Sequence, residues 1–419
     1  MKRNFFIVGL IFLTFFVISF LTNIVGPMVP DIIKSFDLSL TLVALLPFAF
    51  FIAYGVMSIP SGILVEKYGA KKVMVLAFFI AFLGAFVFAY RPNYIIFIGS
   101  LFLIGTGMAM LQVAINPLLR VAGGEEHFAF NSVAAQLLFG LASFLSPLVY
   151  SYLVLNLFGN EGESNFLVDV LSGIVPKNLP WISLYWLFAL ISLLMVFVIG
   201  FSNFPTVRLK EDEKVGSFQT HVELIKNPVV IWYFVAIFAY VGTEQGVANW
   251  ISKFLQTYHS VDPQTTGAST VSWFWGMMTA GTALGLVLLK IWDSRKVLIG
   301  FALGALVSLT AGLFFSKSIA LIAFPTVGFF ASVMWPIIIS LALNSVEKHH
   351  GSVSGILITG IAGGAIIPLI VGSLGDIFGL KMGMLLLYIT LGYILSIGFW
   401  SKPLINNETI SSRKTKKAA

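Results

Sequence analysis

Between residues 105 and 120 the chain reads GTGMAMLQVAINPLLR, an apolar run that contains Gln112, Asn116 and Pro117. Hydrocarbon offers an amide side chain no partner, and proline removes a backbone donor. Gln112 and Asn116 are four residues apart, so they share one helix face, and that face must look at something other than lipid. Asn23, followed by Pro27 and Pro30, poses the same question near the N-terminus, and Gln136 poses it ahead of Pro147. The stretch TEQGVANW adds Glu244, Gln245, Asn249 and Trp250, and Trp273 and Trp335 supply further indole rings. Amides donate and accept hydrogen bonds at once, as hydroxyl groups do, and an indole face packs the apolar side of a pyranose ring. The chemistry on offer is recognition of a neutral polyol. The same amides can also hold two membrane helices together, and the same tryptophans can serve packing or an interfacial belt. A charged substrate would need a central Arg or Lys, and none is visible.

Glu244 stands apart. It falls near the middle of an apolar segment, whereas Asp31, Asp37, Glu66 and Asp376 fall near segment ends. A carboxylate at mid-bilayer is costly and marks a functional site by default. No Lys or Arg lies a turn away, so the expected partner is a cation, a proton or a polar substrate. Anchoring by hydrogen bonds across helices is the alternative.

Composition says which elements position these groups. The chain has 419 residues, 58% of them hydrophobic and 10% charged. A soluble fold cannot cover that composition, so an all-α polytopic membrane protein is expected. The absence of cysteine excludes disulfides and thiolate metal sites. The net charge of +7 bears on topology and not on nucleic acid, which is not expected as a partner. The opening MKRNFFIVGLIFLTFFVISFLTNIVG imitates a signal peptide, but its apolar part is too long and no small-x-small cleavage site stands out. It reads as the first membrane helix.

Twelve apolar runs are long enough to span a bilayer. Six fall near 4–34, 40–66, 71–90, 94–120, 128–156 and 181–203, and six near 228–257, 264–291, 296–315, 318–345, 349–375 and 381–402. The expected organisation is an N-terminal six-helix bundle over 1–203, a cytoplasmic linker over 204–227, a C-terminal six-helix bundle over 228–402 and a basic cytoplasmic tail over 403–419. With both ends inside, 19 basic residues fall on the cytoplasmic side and 6 on the other, which sets the orientation. The halves also resemble each other. Residues 15–36 align without gaps on 233–254, with Phe16, Val17, Phe20, Val29, Ile33 and Phe36 meeting identical residues; AINPLL (114–119) aligns on VMWPII (333–338), and SVAAQLLFGLA (132–142) on SVSGILITGIA (352–362). A parallel repeat of six helices implies two bundles related about the membrane normal, with a substrate site between them near mid-bilayer. Helices 1, 4, 7 and 10 are then equivalent and line one central cavity.

The segment GILVEKYGAKK (62–72) carries Gly62, Glu66, Lys67, Gly69, Lys71 and Lys72 at a helix-connecting corner, with a partial counterpart in KIWDSRK (290–296). Spaced glycines around an acid, followed by a basic cluster, can cross-link helix ends in one transport state, and this set is read as a gating motif. The segment resembles the loop signature of the major facilitator superfamily, G-x-x-x-D-R-x-G-R-K, with Glu66 for Asp and Lys67 for Arg. LQVAINP (111–117), SIPSGILVEKYGAKK (58–72) and YVGTEQG (240–246) are similar to segments of the fucose–galactose–glucose permease family within it. The resemblance implies the major facilitator fold, twelve helices in two pseudo-symmetric bundles, and uptake of neutral hexoses with a coupling cation. It implies that Gln112 occupies a sugar-site position held by glutamate in one branch and glutamine in another, that Gln136 is the sugar-contacting glutamine of helix 5, and that Glu244 is the acid of the helix 7 motif. The family carries an aspartate on helix 1 associated with proton coupling, and this helix offers Asn23 instead. Sodium coupling, coupling through Glu244, and uniport all stay open.

The reading is a secondary active transporter that imports a neutral sugar, expected to be a hexose, by alternating access. Gln112, Asn116, Gln136, Gln245 and Asn249 are the expected hydroxyl partners, with Asn23, Trp250, Trp273 and Trp335 completing the candidate sugar site. Glu244 is the candidate ion-coupling residue, for Na+ or H+. No cofactor or metal is expected, nor catalysis, because no nucleophile–base pair lies within the spans. A monomer in a bacterial cell membrane is expected, with both termini cytoplasmic. The rivals are a drug or lipid exporter of the same fold and a non-transporting sugar sensor.

Overall fold

With no water in the bilayer core, backbone donors and acceptors must be satisfied within the chain, and a helix does this segment by segment. The computed structural model describes residues 4–124, 128–158, 166–204, 223–346 and 350–404, and within these it is all-helical. Residues 205–222 of the expected linker and 405–419 of the expected tail lie outside the described residues.

Among the described residues, twelve helical spans are long and apolar enough to cross a membrane. The first six are Phe5–Phe36, Leu40–Tyr68, Ala70–Tyr90, Tyr94–Gly123, Ala134–Asn156 and Pro180–Phe201. The second six are Pro228–Ala248, Pro263–Ile291, Ser294–Phe314, Lys317–Leu343, Ser352–Phe378 and Leu380–Trp400. They are numbered 1 to 12 below. They match the twelve apolar runs to within a few residues. The fifth helix begins at Phe128, as expected, and the seventh continues past a break as Ile251–His259. A helix at Phe166–Ile174, between spans 5 and 6, was not expected. At nine residues it is too short to register as a membrane run.

Polar residues mark where the helices start. The side chains of Ser39, Asn93, Asn227 and Asp293 each accept a hydrogen bond from a backbone N–H in the first turn of the helix that follows. Such caps satisfy the donors a helix N-terminus leaves without an internal partner.

Four spans break or tighten midway. Span 1 turns at Asn23–Ile24 and span 7 at Asn249–Trp250. Span 10 breaks at Ser332–Val333, ahead of Pro336, and span 11 narrows to a 3-10 turn over Gly360–Ala362. Span 4 does not break. Its helix runs unbroken from Tyr94 to Gly123, so Pro117 does not interrupt it beside Gln112 and Asn116. Proline deletes a single ladder hydrogen bond, and neighbouring helices can hold the rest in register.

Aromatic stacking fixes the first half at its end away from the termini. Phe88 of span 3 lies flat on Phe97 of span 4, with ring centroids 4.0 Å apart, and Tyr185 of span 6 meets both edge-on. The two halves then meet chiefly along three helix pairs, 1 with 7, 2 with 11, and 5 with 8, and span 1 also touches the start of span 8. In the first pair the fit is backbone to backbone. Gly26 lies so close that a β-carbon there would run into the carbonyl oxygen of Ala248. In the second pair a β-carbon at Gly372 would stand 2.7 Å from the carbonyl oxygen of Leu40. In the third, Ser272 donates a hydrogen bond to the carbonyl of Phe144. The first two contacts lie toward the face opposite the termini, called the distal face below.

Candidate functional site

Glu244 lies on span 7, about halfway between Pro228 and His259. It is partly buried, and both its oxygens are engaged. Tyr240, one turn earlier on the same helix, donates to Oε2 at 2.5 Å, and Gln245 donates to Oε1 at 3.1 Å. The i, i+4 spacing of Tyr240 and Glu244 sets them on one face. The carboxylate therefore finds its protein partners on its own helix. Two donors offset part of the cost of holding a carboxylate among membrane helices. Trp335 of span 10 stands over Tyr240, with ring centroids 6.1 Å apart at 52°.

Gln245 is buried where the halves meet. A β-carbon at Gly364 of span 11 would touch both Gln245 and Phe51 of span 2. Asn249 is also buried, and its Nδ2 has no hydrogen-bond partner among the described residues. The structure thus brings together Tyr240, Glu244, Gln245 and Trp335, with Asn249 further along span 7 at the break beside Gly26.

The remaining sugar-site candidates lie on spans 1, 4, 5, 7 and 8. Gln112 is partly buried on span 4, and Gln136 is exposed on span 5. The position of Asn116 on the helix is described but its side chain is not. Asn23 is 6% exposed and donates to Ser143 Oγ at 2.9 Å, while Ser143 and Ser19 share a 2.5 Å hydrogen bond. In this state Asn23 ties spans 1 and 5 together. Trp250 is 1% exposed, and its indole N–H donates to the carbonyl of Pro368 at 3.3 Å. The structure places it inside helix packing and not beside Glu244. Trp273 is 54% exposed and meets Phe144 of span 5 edge-on. Of the gating set, Glu66, Lys67, Gly69 and Lys72 are exposed, Lys71 is partly buried and Gly62 is buried at the end of span 2.

Sequence reasoning missed Tyr240, although its spacing to Glu244 was a usable signal. It also missed a cluster at the distal face. There Asp31 of span 1 accepts a hydrogen bond from Tyr150 of span 5 at 2.6 Å and from Gln264 of span 8 at 3.1 Å. Asp31 and Gln264 border a cavity of about 400 Å³, lined also by Lys34, Lys253 and Gln256.

Two bundles of six membrane-spanning helices are an architecture of membrane transporters. The chain belongs to the Major Facilitator Superfamily, whose profile it matches over residues 11–368. It is 30% identical over 400 residues to the glucose/galactose transporter of Brucella abortus, covering 92% of each chain. It is 26% identical over 385 residues to the L-fucose-proton symporter of Escherichia coli, covering 87% of this chain and 86% of that one. Among solved structures, the Escherichia coli fucose:proton symporter superposes with a TM-score of 0.67 at 23% identity, over 94% of this chain and 98% of that one. A bacterial homologue of the lysosomal transporter Spinster, in an inward-facing conformation, superposes with a TM-score of 0.78 at 15% identity, over 94% and 96% of the chains. Both show the shared fold.

Proposed function

We propose that this protein imports a neutral hexose by alternating access, driven by Na+ or H+ through Glu244. The observation that carries the reading is the Glu244 cluster: a mid-span carboxylate held by Tyr240 and Gln245, with Trp335 alongside. An ionisable group at that depth suits a cation or proton, and the amide, phenol and indole groups around it suit hydroxyls and a sugar ring face. The kinship with a glucose/galactose transporter supports the substrate class. Gln112, Asn116, Gln136 and Asn249 complete the proposed sugar contacts from spans 4, 5 and 7. With the termini cytoplasmic, the contacts at the distal face make this the inward-facing state. Asn23 then serves helix contact here and comes within reach of substrate when spans 1 and 5 shift.

The test is uptake into proteoliposomes. Labelled glucose, galactose and fucose are offered under a sodium gradient and a proton gradient imposed separately. Accumulation of one of these sugars under one of these gradients is expected. Dye efflux without sugar uptake would replace the reading with export.

A further inference from the structure

At the distal face the two halves are joined through a helix end. The helix of span 2 begins at Leu40, and its first backbone N–H groups have no partner within the helix. Asp376, near the end of span 11 in the other half, supplies the acceptors. Its Oδ1 accepts from Leu40 N at 2.8 Å, and its Oδ2 accepts from Thr41 N at 2.8 Å and from Thr41 Oγ1 at 2.5 Å. Ser39, the local cap, accepts from Leu42 N at 3.2 Å. The first turn of span 2 is therefore capped jointly, partly by its own half and partly by the other. Gly372, one turn before Asp376, lets span 11 approach Leu40 closely enough for this. The segment GSLGDIFG (372–379) also repeats the spacing of GILVEKYG (62–69), with glycine, leucine, acid, aromatic and glycine at the same offsets. Gly379 and Gly69 share φ near +88° and +84°. The acid thus sits just before a helix end that the backbone turns sharply.

We propose that Asp376 is the gating residue of the distal face: a cap for span 2 that exists only while the halves are closed there. The inference rests on the transport reading, because only a protein whose halves rock apart must break this cap in every cycle. When they part, the N–H groups of Leu40 and Thr41 stand at an exposed helix end and pass to water, so span 2 keeps its fold. The carboxylate therefore acts on the balance between states and not on folding. A charged acceptor at the N-terminus of a helix also gains from the helix dipole, which an amide in its place does not. Another polar link at this face, Asp31 with Gln264, joins one carboxylate to one amide, and Asp31 keeps Tyr150 as a partner within its own half when that link opens.

Electron spin resonance distances read this directly, since the chain has no native cysteine. Spin labels at Lys177→Cys and Ser316→Cys, exposed positions of opposite halves at the distal face, report opening. In lipid nanodiscs the parent is expected to show a short and a long distance. Asp376→Ala should raise the ratio of long to short by roughly twofold to thirtyfold, the range that loss of an N-cap produces. Asp376→Asn keeps one oxygen acceptor and should shift the ratio in the same direction by less; it also serves if the alanine variant does not fold. An unchanged ratio in the folded variants, or a single distance in parent and variants alike, would overturn the gate. Sugar uptake by the parent in proteoliposomes is measured alongside. Failure of uptake while the ratio still responds to Asp376 would count against the substrate reading and leave the gate standing.

Discussion

Tyr240 donates a hydrogen bond to Glu244 at 2.5 Å across a single turn of span 7, so the carboxylate proposed to couple transport is oriented by its own helix. Glu244→Gln keeps the size and hydrogen bonding of the side chain but removes its ionisable group. Exchange of labelled sugar across the membrane should persist in that variant. Accumulation against a sugar gradient should vanish, because it draws on free energy linked from the ion. Comparing counterflow with ion-driven uptake in the same vesicles decides the matter. Undiminished accumulation would remove Glu244 from the coupling, and loss of both activities would point to direct sugar binding or a structural role.

Gln112 and Trp250 should respond in opposite ways. Gln112→Ala should weaken sugar binding about tenfold to a hundredfold, the worth of roughly 1–3 kcal/mol for a hydrogen bond lost in a closed site. It should insert and fold normally. Trp250 is buried and bonded to Pro368, so Trp250→Ala should instead lower thermal stability, by about 3–5 kcal/mol if the site does not collapse. Equilibrium sugar binding and thermal unfolding in detergent separate the two. Parent-like binding by Gln112→Ala would mean that its amide serves helix packing.

Orientation is open to direct labelling. Ser316 is exposed between spans 9 and 10, on the distal face. Ser316→Cys in intact cells should react with an impermeant maleimide, while Ser217→Cys, outside the described residues, should react only after lysis. The reverse pattern would invert the topology drawn from the 19-to-6 distribution of basic residues.

Acid should weaken the corner between spans 8 and 9. Asp293 accepts hydrogen bonds from Arg295 N at 2.9 Å and Arg295 Nε at 3.0 Å. The Arg295 side chain is the main cause that holds the Asp293 carboxyl below the usual carboxylate range, against a smaller opposing effect of burial. A lowered carboxylate contributes stability above its ordinary pKa and loses it as pH falls through the lowered value. The parent should therefore lose thermal stability below about pH 4. Asp293→Asn, which can still cap the helix, should lose less over that range. Melting curves from pH 7 down to pH 3 read this, and identical curves would mean that the pair contributes nothing.

The twelve spans were legible because the signal sits in the residues themselves: apolar runs of bilayer length need no partner to be recognised. Glu244 was legible for the same reason, as an acid far from any segment end. What escaped depends on two parts of the chain meeting. Asp376 and Asp31 read as ordinary charges near helix ends, and only the docking of the halves shows that they bond across them. Trp250 read as a ring for sugar because it adjoins polar residues in sequence, yet the break at Asn249 turns it into the packing against Pro368. Pro117 removes a backbone donor in the middle of span 4, but whether a proline breaks a helix is decided by its neighbours in space, and here the helix continues.

The backbone-to-backbone fit of Gly26 against Ala248 has a mechanical meaning. Two surfaces that touch without interlocking side chains can be peeled apart with no rotamer changes and few new gaps. Such a joint has little grip of its own, and its strength gathers at the few polar fastenings along its rim. It is also intolerant of thickness: a single methyl group at residue 26 would act as a wedge, propping the seam ajar and tilting the resting shape toward opening at the distal face.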